Sequence, residues 1–484
     1  MLFRSCCTPP AARTYNRSVL TPAEFERRLG VITALAGLFG LAFIAALLWW
    51  QVLDTGLASQ DRNPRTLSRF YDPGRGRILD RDGNVLVETL SGGRRYLYDA
   101  SLAHVVGYLD PRYGSQGIEL AYDAVLAGRS GSGWLDALRY ELLREPVPGD
   151  DVRLTIDPAV QAAAREALGN RKGAVVALDP ITGEILAMVS VPTFDPGALG
   201  NTGEALLQSP DAPLLNRATQ GLYPPGSTFK TVTAAAALEA GIINPDTIVE
   251  CPGEIVIDGF PISCRNTPQG VGTYPFSHAF TYSVNAIFAR IGVELGWQRL
   301  EAVAARFGFG RPIDFPLDTA ASQLRAPGAS RDTVLLASTA FGQGQLLATP
   351  LQMALVAAVI ASGGELPRPR IALEAVNREG AARALSAPSS TRVLDRRIAG
   401  EVAAMMASVV EAGQASGVAI PGTRVAGKTG TAEAGDGTSH AWFIAFAPVE
   451  QPRIAVAVIV ESGGQGGAVA APIAGQVIRA AVAR

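Results

Sequence analysis

The chain has 484 residues, more than one ordinary domain holds, so its length predicts two or three structural units. A formal net charge of −2 gives no electrostatic basis for binding nucleic acid. Three histidines and four cysteines form no close cluster that would indicate a metal site, and four cysteines are too few for a disulfide scaffold. The 48% of hydrophobic residues leaves ample core material, and a mean hydropathy of +0.19 suggests a membrane segment.

An uncharged run near the N-terminus, from Gly30 to Trp50, is long enough to span a bilayer as one helix. The alternatives are a cleaved signal peptide, whose apolar region is typically about 7–15 residues long, and a buried core helix. Arginines directly before the run place the N-terminus in the cytoplasm, and its two tryptophans fit the membrane interface. We expect a cytoplasmic tail over 1–29, a single-pass transmembrane helix over 30–53 and an extracytoplasmic remainder.

The segment that follows the predicted anchor, residues 54–150, mixes short strand and helix patterns. Residues 75–86 predict a strand, an Asp-Gly turn and a second strand. No set of side chains suited to catalysis occurs in this segment. We interpret it as a small pedestal domain that spaces the rest of the chain from the membrane.

Residues 151–484 have the pattern of one large domain of the α/β class, of the α+β type. One antiparallel hairpin is predicted over 173–190 and a second over 441–460, followed by an amphipathic helix from about Ala468. The stretch between the two hairpins is mostly helical. We therefore expect an antiparallel sheet that is built from both ends of the domain and flanked by helices.

A serine and a lysine lie at the start of a predicted helix in this domain. Two prolines and Gly226 break the chain before Ser227, and the helix ends at Gly241. Lys230 lies three residues after Ser227 and therefore on the same face of the helix. A hydroxyl beside an amine that can take its proton, close to unpaired backbone N–H groups, is suited to nucleophilic catalysis. The alternative is a helix cap with a solvated lysine.

The rarity of lysine favours the catalytic interpretation. Only three lysines occur, Lys172, Lys230 and Lys428, and every other strong base is arginine. Arginine does not release its proton in a protein, whereas a desolvated lysine can. Two of the three lysines lie in short polar motifs. These positions indicate sites where an amine is specifically needed.

The cysteines suggest one disulfide. Cys251 and Cys264 flank a predicted hairpin that turns at Asp258–Gly259, so they lie nearly opposite one another. Outside the membrane a disulfide between them is a reasonable hypothesis. Cys6 and Cys7 fall in the predicted cytoplasmic tail and should stay reduced.

Three motifs occur in order along the chain: Ser227-x-x-Lys230, Ser283-x-Asn285 and Lys428-Thr429-Gly430. Ser283 and Asn285 alone would be no more than a helix cap. Together, in an anchored and exported domain, the three motifs resemble the signature set of penicillin-recognising serine enzymes. From about Tyr71 onward the chain resembles class B penicillin-binding proteins in particular, through the segment beginning Arg75-Gly76-Arg77, the Gly342-Gln343-Gly344 segment and the extension of the third motif to Glu433. The implied fold is the penicillin-binding transpeptidase fold.

This resemblance implies a peptidoglycan D,D-transpeptidase. Ser227 would attack the penultimate D-alanine of a stem peptide, form an acyl-enzyme and release the last D-alanine. Lys230 would be the base, and Ser283 would pass a proton to the leaving amine. Asn285 would hold the substrate amide and help to anchor Lys230. Lys428 would attract the terminal carboxylate, which the hydroxyls of Thr429 and Thr431, on either side of Gly430, would bind.

The remaining implications concern the oxyanion hole and the partners. Backbone N–H groups of Ser227 and Thr431 would stabilise the oxyanion. An amine of a neighbouring stem peptide on a nascent glycan strand would resolve the acyl-enzyme, and β-lactams would trap Ser227. No cofactor or metal is needed, and a SEDS-family glycosyltransferase is the implied partner. His440 and Trp442 are further candidates to line the cleft.

Three alternatives remain for comparison. A β-lactamase shares the catalytic fold, but it resembles that domain alone and lacks the pedestal segment. A non-enzymatic β-lactam sensor needs a signalling domain, for which the tail is too short, and a pure division scaffold has little reason to keep its lysines in the motifs. A bifunctional class A protein needs a glycosyltransferase domain, for which residues 54–150 are too few.

Overall fold

The computed structural model describes residues 21–49, 74–90, 93–130 and 148–483. The chain divides into two compact units, Met1–Leu67 and Ser68–Arg484. The expectations for Cys6, Cys7 and Trp50 lie outside the described residues.

The first unit contains one long helix, α1 (Pro22–Leu48), of 27 residues with a mean hydropathy of 2.5 in its apolar window. Its length and composition suit a single membrane span, as predicted. The helix begins earlier than the predicted span at Gly30, so Arg27 and Arg28 are helical. The Glu24 carboxylate accepts hydrogen bonds from the backbone N–H and hydroxyl of Thr21, and a proline follows at the first helical position. Both features nucleate the helix before the apolar run begins.

The second unit combines short strands with helices of very different length. Its helices are α2 (Ala103–Val106), α3 (Ile118–Ala121), α4 (Asp123–Leu126), α5 (Pro158–Leu168), α6 (Leu199–Gln208), α7 (Lys230–Glu239), α8 (Phe276–Thr281), α9 (Asn285–Arg306), α10 (Thr333–Ala340), α11 (Pro350–Ala361), α12 (Arg396–Glu411) and α13 (Ala470–Val482). Its strands are β1 (Ile78–Leu79), β2 (Val85–Leu90), β3 (Gly93–Tyr96), β4 (Tyr108–Asp110), β5 (Gly114–Gln116), β6 (Asp151–Leu154), β7 (Gly173–Leu178), β8 (Ile185–Val191), β9 (Ile248–Cys251), β10 (Glu254–Ile257), β11 (Phe260–Ser263), β12 (Gly272–Pro275), β13 (Glu365–Pro367), β14 (Ala372–Val376), β15 (Ala382–Ala384), β16 (Ser390–Arg392), β17 (Ala426–Glu433), β18 (Ser439–Ala447) and β19 (Ile454–Val460).

A six-stranded sheet has the order β15-β14-β6-β1-β2-β3. The predicted hairpin over 75–86 is present as β1 and β2, and Gly83 in its turn has φ +89°, which favours glycine. The sheet takes strands from both sides of the expected domain boundary at residue 150. The division into 54–150 and 151–484 therefore stays a prediction.

A buried ion cluster stabilises the region before residue 150. The carboxylate of Glu119, which has no exposed surface, accepts hydrogen bonds from Arg75 at 2.7 Å and from Arg94 at 2.7 Å. Arg75 also pairs with Asp123 at 2.6 Å. Removing one member would leave a buried charge uncompensated, which typically costs about 3–5 kcal/mol. Arg75 of the segment at residues 75–77 is thus structural.

The central sheet of the second unit is antiparallel, with the order β17-β18-β19-β7-β8. The two predicted hairpins, over 173–190 and 441–460, form its strands β7, β8, β18 and β19. Strands β7, β8 and β19 are buried along their whole length, with α5, α11 and α13 packed against the sheet. Burial on both faces requires the continuous apolar runs that these strands have. The expected sheet, built from both ends of the domain and flanked by helices, is confirmed.

The edge strand β17 contacts the helical middle of the domain. An excursion within that middle, residues 248–275, carries the hairpin β10–β11, which turns at Asp258–Gly259 as predicted. The structure joins Cys251 to Cys264 by a disulfide, as hypothesised.

Candidate active site

Ser227 lies in a short 3-10 turn, Gly226–Phe229, that leads directly into α7. Its side chain is half-buried, and the first N–H groups of a helix have no acceptor within it. Gly226 has φ +55°, and a Cβ there would lie 2.9 Å from the carbonyl oxygen of Thr431. Its N–H donates to the carbonyl of Gly342 at 3.0 Å. Only glycine allows the turn to approach β17 this closely.

Lys230, the first residue of α7, is completely buried and makes three polar contacts. Its Nζ donates to the carbonyl oxygen of Ser283 at 2.8 Å, to Ser283 Oγ at 3.0 Å and to Asn285 Oδ1 at 2.7 Å. The first two predicted motifs, more than fifty residues apart in sequence, therefore meet at one amine.

Ser283 holds a backbone conformation that side chains rarely adopt, with φ +61°. Helix α8 ends just before Ser283. The Ser283 N–H donates to the Phe280 carbonyl at 3.1 Å, and the Val284 N–H donates to the Ala279 carbonyl at 2.9 Å. Many helices end with this pair of hydrogen bonds, and glycine is the usual residue at the position with positive φ. Serine at that position places a hydroxyl where glycine has none.

Lys428 projects from β17 toward the same serine. It is also completely buried, and its Nζ donates to Ser283 Oγ at 3.0 Å and to the Thr429 carbonyl at 3.1 Å. The Ser283 hydroxyl therefore lies between two lysine amines that come from the first and third motifs. A hydroxyl in this position can exchange a proton with either amine.

Both amines have lowered pKa values because they are buried. Burial lowers the pKa of Lys428 to about 7. Burial, and then repulsion from Lys428, lowers the pKa of Lys230 well below its ordinary value. A buried ammonium without a carboxylate partner loses hydration that nothing replaces in full. Both shifts favour the neutral amine. A neutral Lys230 keeps two donors for the Ser283 carbonyl and Asn285 Oδ1 and accepts from the Ser283 hydroxyl.

The third motif lies against the Ser227 turn. A Cβ at Gly430 would lie 2.8 Å from the Pro225 carbonyl oxygen and 3.0 Å from Thr228 Cγ2, so glycine is needed here. Thr431 is exposed, and its Oγ1 accepts from Gly466 N–H at 3.4 Å. Thr429 is only 4% exposed. Of the two threonines predicted to bind a carboxylate, Thr431 thus has the more accessible hydroxyl.

His440 and Trp442 follow on β18 and differ in accessibility. His440 is half-buried, its Nδ1 accepts from Ser462 N–H at 3.1 Å, and burial lowers its pKa. Trp442 is completely buried, so the expectation that its side chain lines the cleft is wrong. It lies in a strand that is covered on both faces by the central sheet's helices and loops.

Two features of the site were not predicted. Tyr223 packs edge-on against His440 and Trp442, and its hydroxyl donates to Glu461 at 2.7 Å. Arg217 Nε donates to the same carboxylate oxygen at 2.7 Å. The second feature is Asn266, which contacts the Ser283–Asn285 segment. Neither has a local sequence signal, because the partners are distant in the chain.

Comparisons with known proteins find similar domains, sequences and structures. The penicillin binding protein transpeptidase domain matches residues 173–479, and the penicillin binding protein A dimerisation domain matches residues 75–152. Similar proteins include the peptidoglycan D,D-transpeptidase PbpA of Mycolicibacterium smegmatis, 36% identical over 460 residues that cover 88% of this chain and 93% of the relative. The peptidoglycan D,D-transpeptidase MrdA of Haemophilus influenzae is 32% identical, covering 80% of this chain and 68% of the relative.

Solved structures give the same result. A ceftriaxone acyl-enzyme complex of penicillin-binding protein A from M. tuberculosis superposes with a TM-score of 0.79 at 34% identity, covering 86% of this chain and all of the other. A complex of Pseudomonas aeruginosa PBP2 with WCK 5153 superposes with a TM-score of 0.71 at 31% identity, covering 84% and 95% of the two chains.

Proposed function

The chain belongs to the class B penicillin-binding protein family, and from this premise we propose that it is a peptidoglycan D,D-transpeptidase that works through an acyl-enzyme on Ser227. The observation that carries the assignment of the site is the Ser283 hydroxyl, which lies 3.0 Å from both Lys428 Nζ and the Nζ of Lys230, the residue directly after the Ser227 turn. The substrate is the D-Ala-D-Ala end of a stem peptide. β-Lactams, which mimic that end, acylate the same serine.

In the acylation step, Ser227 Oγ attacks the carbonyl carbon of the penultimate D-alanine. Burial lowers the pKa of Lys230 and so favours its neutral form, which takes the proton of the Ser227 hydroxyl. The backbone N–H groups of Ser227 and Thr431 stabilise the oxyanion, and loss of one such donor typically costs about 3 kcal/mol. The C–N bond to the last D-alanine then breaks. The Ser283 hydroxyl passes a proton to the leaving amine and receives from Lys230 the proton that Lys230 took from Ser227.

Recognition of the substrate uses the third motif and Asn285. Lys428 and the exposed Thr431 hydroxyl attract the terminal carboxylate of the substrate. Thr429 and Gly430 shape the strand beside it. Substrate binding brings a negative charge to Lys428 and so favours its protonated form. Asn285 holds the substrate amide while its Oδ1 accepts from Lys230. An amine of a neighbouring stem peptide then attacks the acyl-enzyme and forms the cross-link.

Membrane attachment and the partner are further proposals. We propose that α1 anchors the protein with its N-terminus in the cytoplasm, supported by Arg27 and Arg28 before the apolar run. Fusion of a periplasmic reporter enzyme after residue 484 should be active, and an inactive fusion would oppose this orientation. We also propose a SEDS-family glycosyltransferase as partner, on family resemblance. Co-purification with such a protein from membranes should require α1 or the pedestal segment, and its absence would oppose the pairing.

Labelling with a fluorescent penicillin tests the catalytic assignment. Protein without α1 is compared with the Ser227→Ala variant by intact mass, following the adduct and its lifetime. We expect a stable adduct on the wild type and none on the variant. An adduct that turns over within seconds would instead indicate a β-lactamase. No adduct on folded wild-type protein would leave only a sensor or scaffold function.

A further inference from the structure

Asn266 holds the Ser283–Asn285 segment by two hydrogen bonds from outside that segment. Its Nδ2 donates to the Ser283 carbonyl oxygen at 2.9 Å, and its Oδ1 accepts from the Asn285 N–H at 3.0 Å. We infer that Asn266 is a positioning residue for catalysis, which fixes the Ser283 hydroxyl and the Asn285 amide against Lys230. This inference rests on the proposed function, because it assigns a role within the same site.

The segment needs such support because its own residues do not supply it. Helix α9 begins at Asn285 with Val284 at its N-cap, and no side chain there accepts a hydrogen bond from the helix start. An apolar N-cap leaves the first N–H groups without a local acceptor. Asn266 Oδ1 provides that acceptor from a distant part of the chain. Its amide therefore caps α9 in place of Val284.

The second hydrogen bond of Asn266 goes to the Ser283 carbonyl, which also accepts a hydrogen bond from Lys230. The Ser283 carbonyl oxygen accepts from Asn266 Nδ2 at 2.9 Å and from Lys230 Nζ at 2.8 Å. Two fixed donors define the orientation of that peptide group, and the peptide orientation determines where a residue with φ +61° directs its hydroxyl. Without Asn266, the Ser283 carbonyl would accept from Lys230 alone, and only the backbone hydrogen bonds to the end of α8 would keep the φ of +61° that serine rarely adopts. The hydroxyl between the two amines would then lose its fixed position.

Asn266 is itself held by the disulfide-linked excursion. It ends the 3-10 turn Cys264–Asn266, which begins at a completely buried disulfide cysteine. Cys264 N–H donates to the Gly253 carbonyl at 2.9 Å, and Ser263 Oγ accepts from Arg265 N–H at 3.0 Å. The turn is therefore anchored to Gly253, between β9 and β10, and to Ser263 at the end of β11. Asn266 is exposed, but the turn that carries it is fixed by these contacts.

The test measures acylation and folding separately in Asn266→Ala, with Arg265→Ala as the matched control. Arg265 is the neighbouring exposed residue of the same turn, so its truncation perturbs the turn without removing the two hydrogen bonds. The first-order acylation rate constant and the non-covalent dissociation constant are obtained from penicillin titrations, and the melting temperature is measured for each protein. We expect the acylation rate constant of Asn266→Ala to fall about tenfold, since small misplacements of reacting groups have large effects. Arg265→Ala should acylate at the wild-type rate.

Asn266→Asp provides a second readout that a merely structural role would not change. Aspartate still accepts from Asn285 N–H, but it cannot donate to the Ser283 carbonyl, and it brings a negative charge near Lys230. The groups that face Lys230 Nζ are the neutral Ser283, Asn285 and the Phe288 ring, 5.2 Å away, and the charged Lys428. The acid limb of the acylation pH profile should therefore move to higher pH while the melting temperature stays near that of the wild type.

The inference is overturned if Asn266→Ala acylates at the wild-type rate, or if Arg265→Ala loses as much rate as Asn266→Ala does. If Asn266→Ala is too unstable to measure, an unshifted pH profile in Asn266→Asp overturns it. Failure of the proposed function looks different, because wild-type protein would then form no adduct that Ser227→Ala abolishes.

Discussion

Replacing Lys428 with methionine should stabilise the folded protein while removing its acylation activity. Burial lowers the pKa of Lys428 from the ordinary value of 10.5 to about 7, which corresponds to about 5 kcal/mol of unfavourable free energy at low pH. Methionine fills the same space near the Phe280 ring, which lies 5.9 Å from the amine. Loss of the hydrogen bonds to Ser283 Oγ and the Thr429 carbonyl costs about 1 kcal/mol each. The net expectation is a gain of about 3 kcal/mol.

The gain should depend on pH in a defined direction. The unfolded lysine keeps its proton up to pH 10.5, whereas the folded one releases it near pH 7, so the unfolded state binds more protons between these values. The unfavourable free energy of the buried Lys428 is therefore fully present below pH 7 and disappears as the pH rises to about 10.5. The advantage of Lys428→Met should decline by about 1.4 kcal/mol for each pH unit in that interval.

Thermal unfolding from pH 6 to pH 10 measures this difference, together with penicillin acylation at each pH. At or below pH 7 the melting temperature of Lys428→Met should exceed that of the wild type by about 3 °C. Lys172→Met is the control, because Lys172 is a surface residue with its carboxylate partners 3.5 Å away, and its loss should bring no gain. A lower melting temperature for Lys428→Met, or a gain that does not decline above pH 7, would refute the reasoning.

Three further outcomes follow from the geometry. Ser283→Gly keeps the backbone at φ +61° but lacks the hydroxyl, so its melting temperature should stay within a few degrees of the wild type while acylation falls at least about 100-fold; normal acylation would exclude the proton relay. Cys251→Ala opens a disulfide that joins residues 13 apart, so unfolding in denaturant should show a loss of about 3 kcal/mol that reductant reproduces in the wild type; unchanged stability would contradict this. Gly430→Ala would place a Cβ 2.8 Å from the Pro225 carbonyl, so acylation should fall with the melting temperature, whereas Gly400→Ala, exposed on α12 with nothing within 4 Å of the new Cβ, should acylate normally.

The parts of the fold that the sequence predicted are those determined by local pattern. The hairpins over 173–190 and 441–460 have long apolar strands and short turns, and these features specify an antiparallel sheet without knowledge of distant contacts. The convergence of Lys230 and Lys428 was predictable for a chemical reason. In a chain that uses arginine almost everywhere, the two lysines that lie in motifs had to serve a need that arginine does not meet.

The parts that were missed depend on contacts between distant residues. Tyr223 and Glu461 are 238 residues apart, and neither lies in a pattern that predicts the other. Asn266 lies 17 residues before Ser283, in a turn whose position depends on the disulfide and its hairpin. Helix α1 begins before the predicted span for a different reason. Hydropathy locates an apolar run, whereas helix starts depend on capping residues such as Thr21 and Glu24.

Transpeptidation by the purified full-length protein tests the central claim most directly. Un-cross-linked glycan strands with pentapeptide stems are the substrate, and free D-alanine and dimeric muropeptides are quantified together for the wild type and for Ser227→Ala. We expect one D-alanine to be released for each cross-link formed by the wild type, and neither product from the variant. Release of D-alanine without dimers, or cross-links that persist in Ser227→Ala, would contradict it.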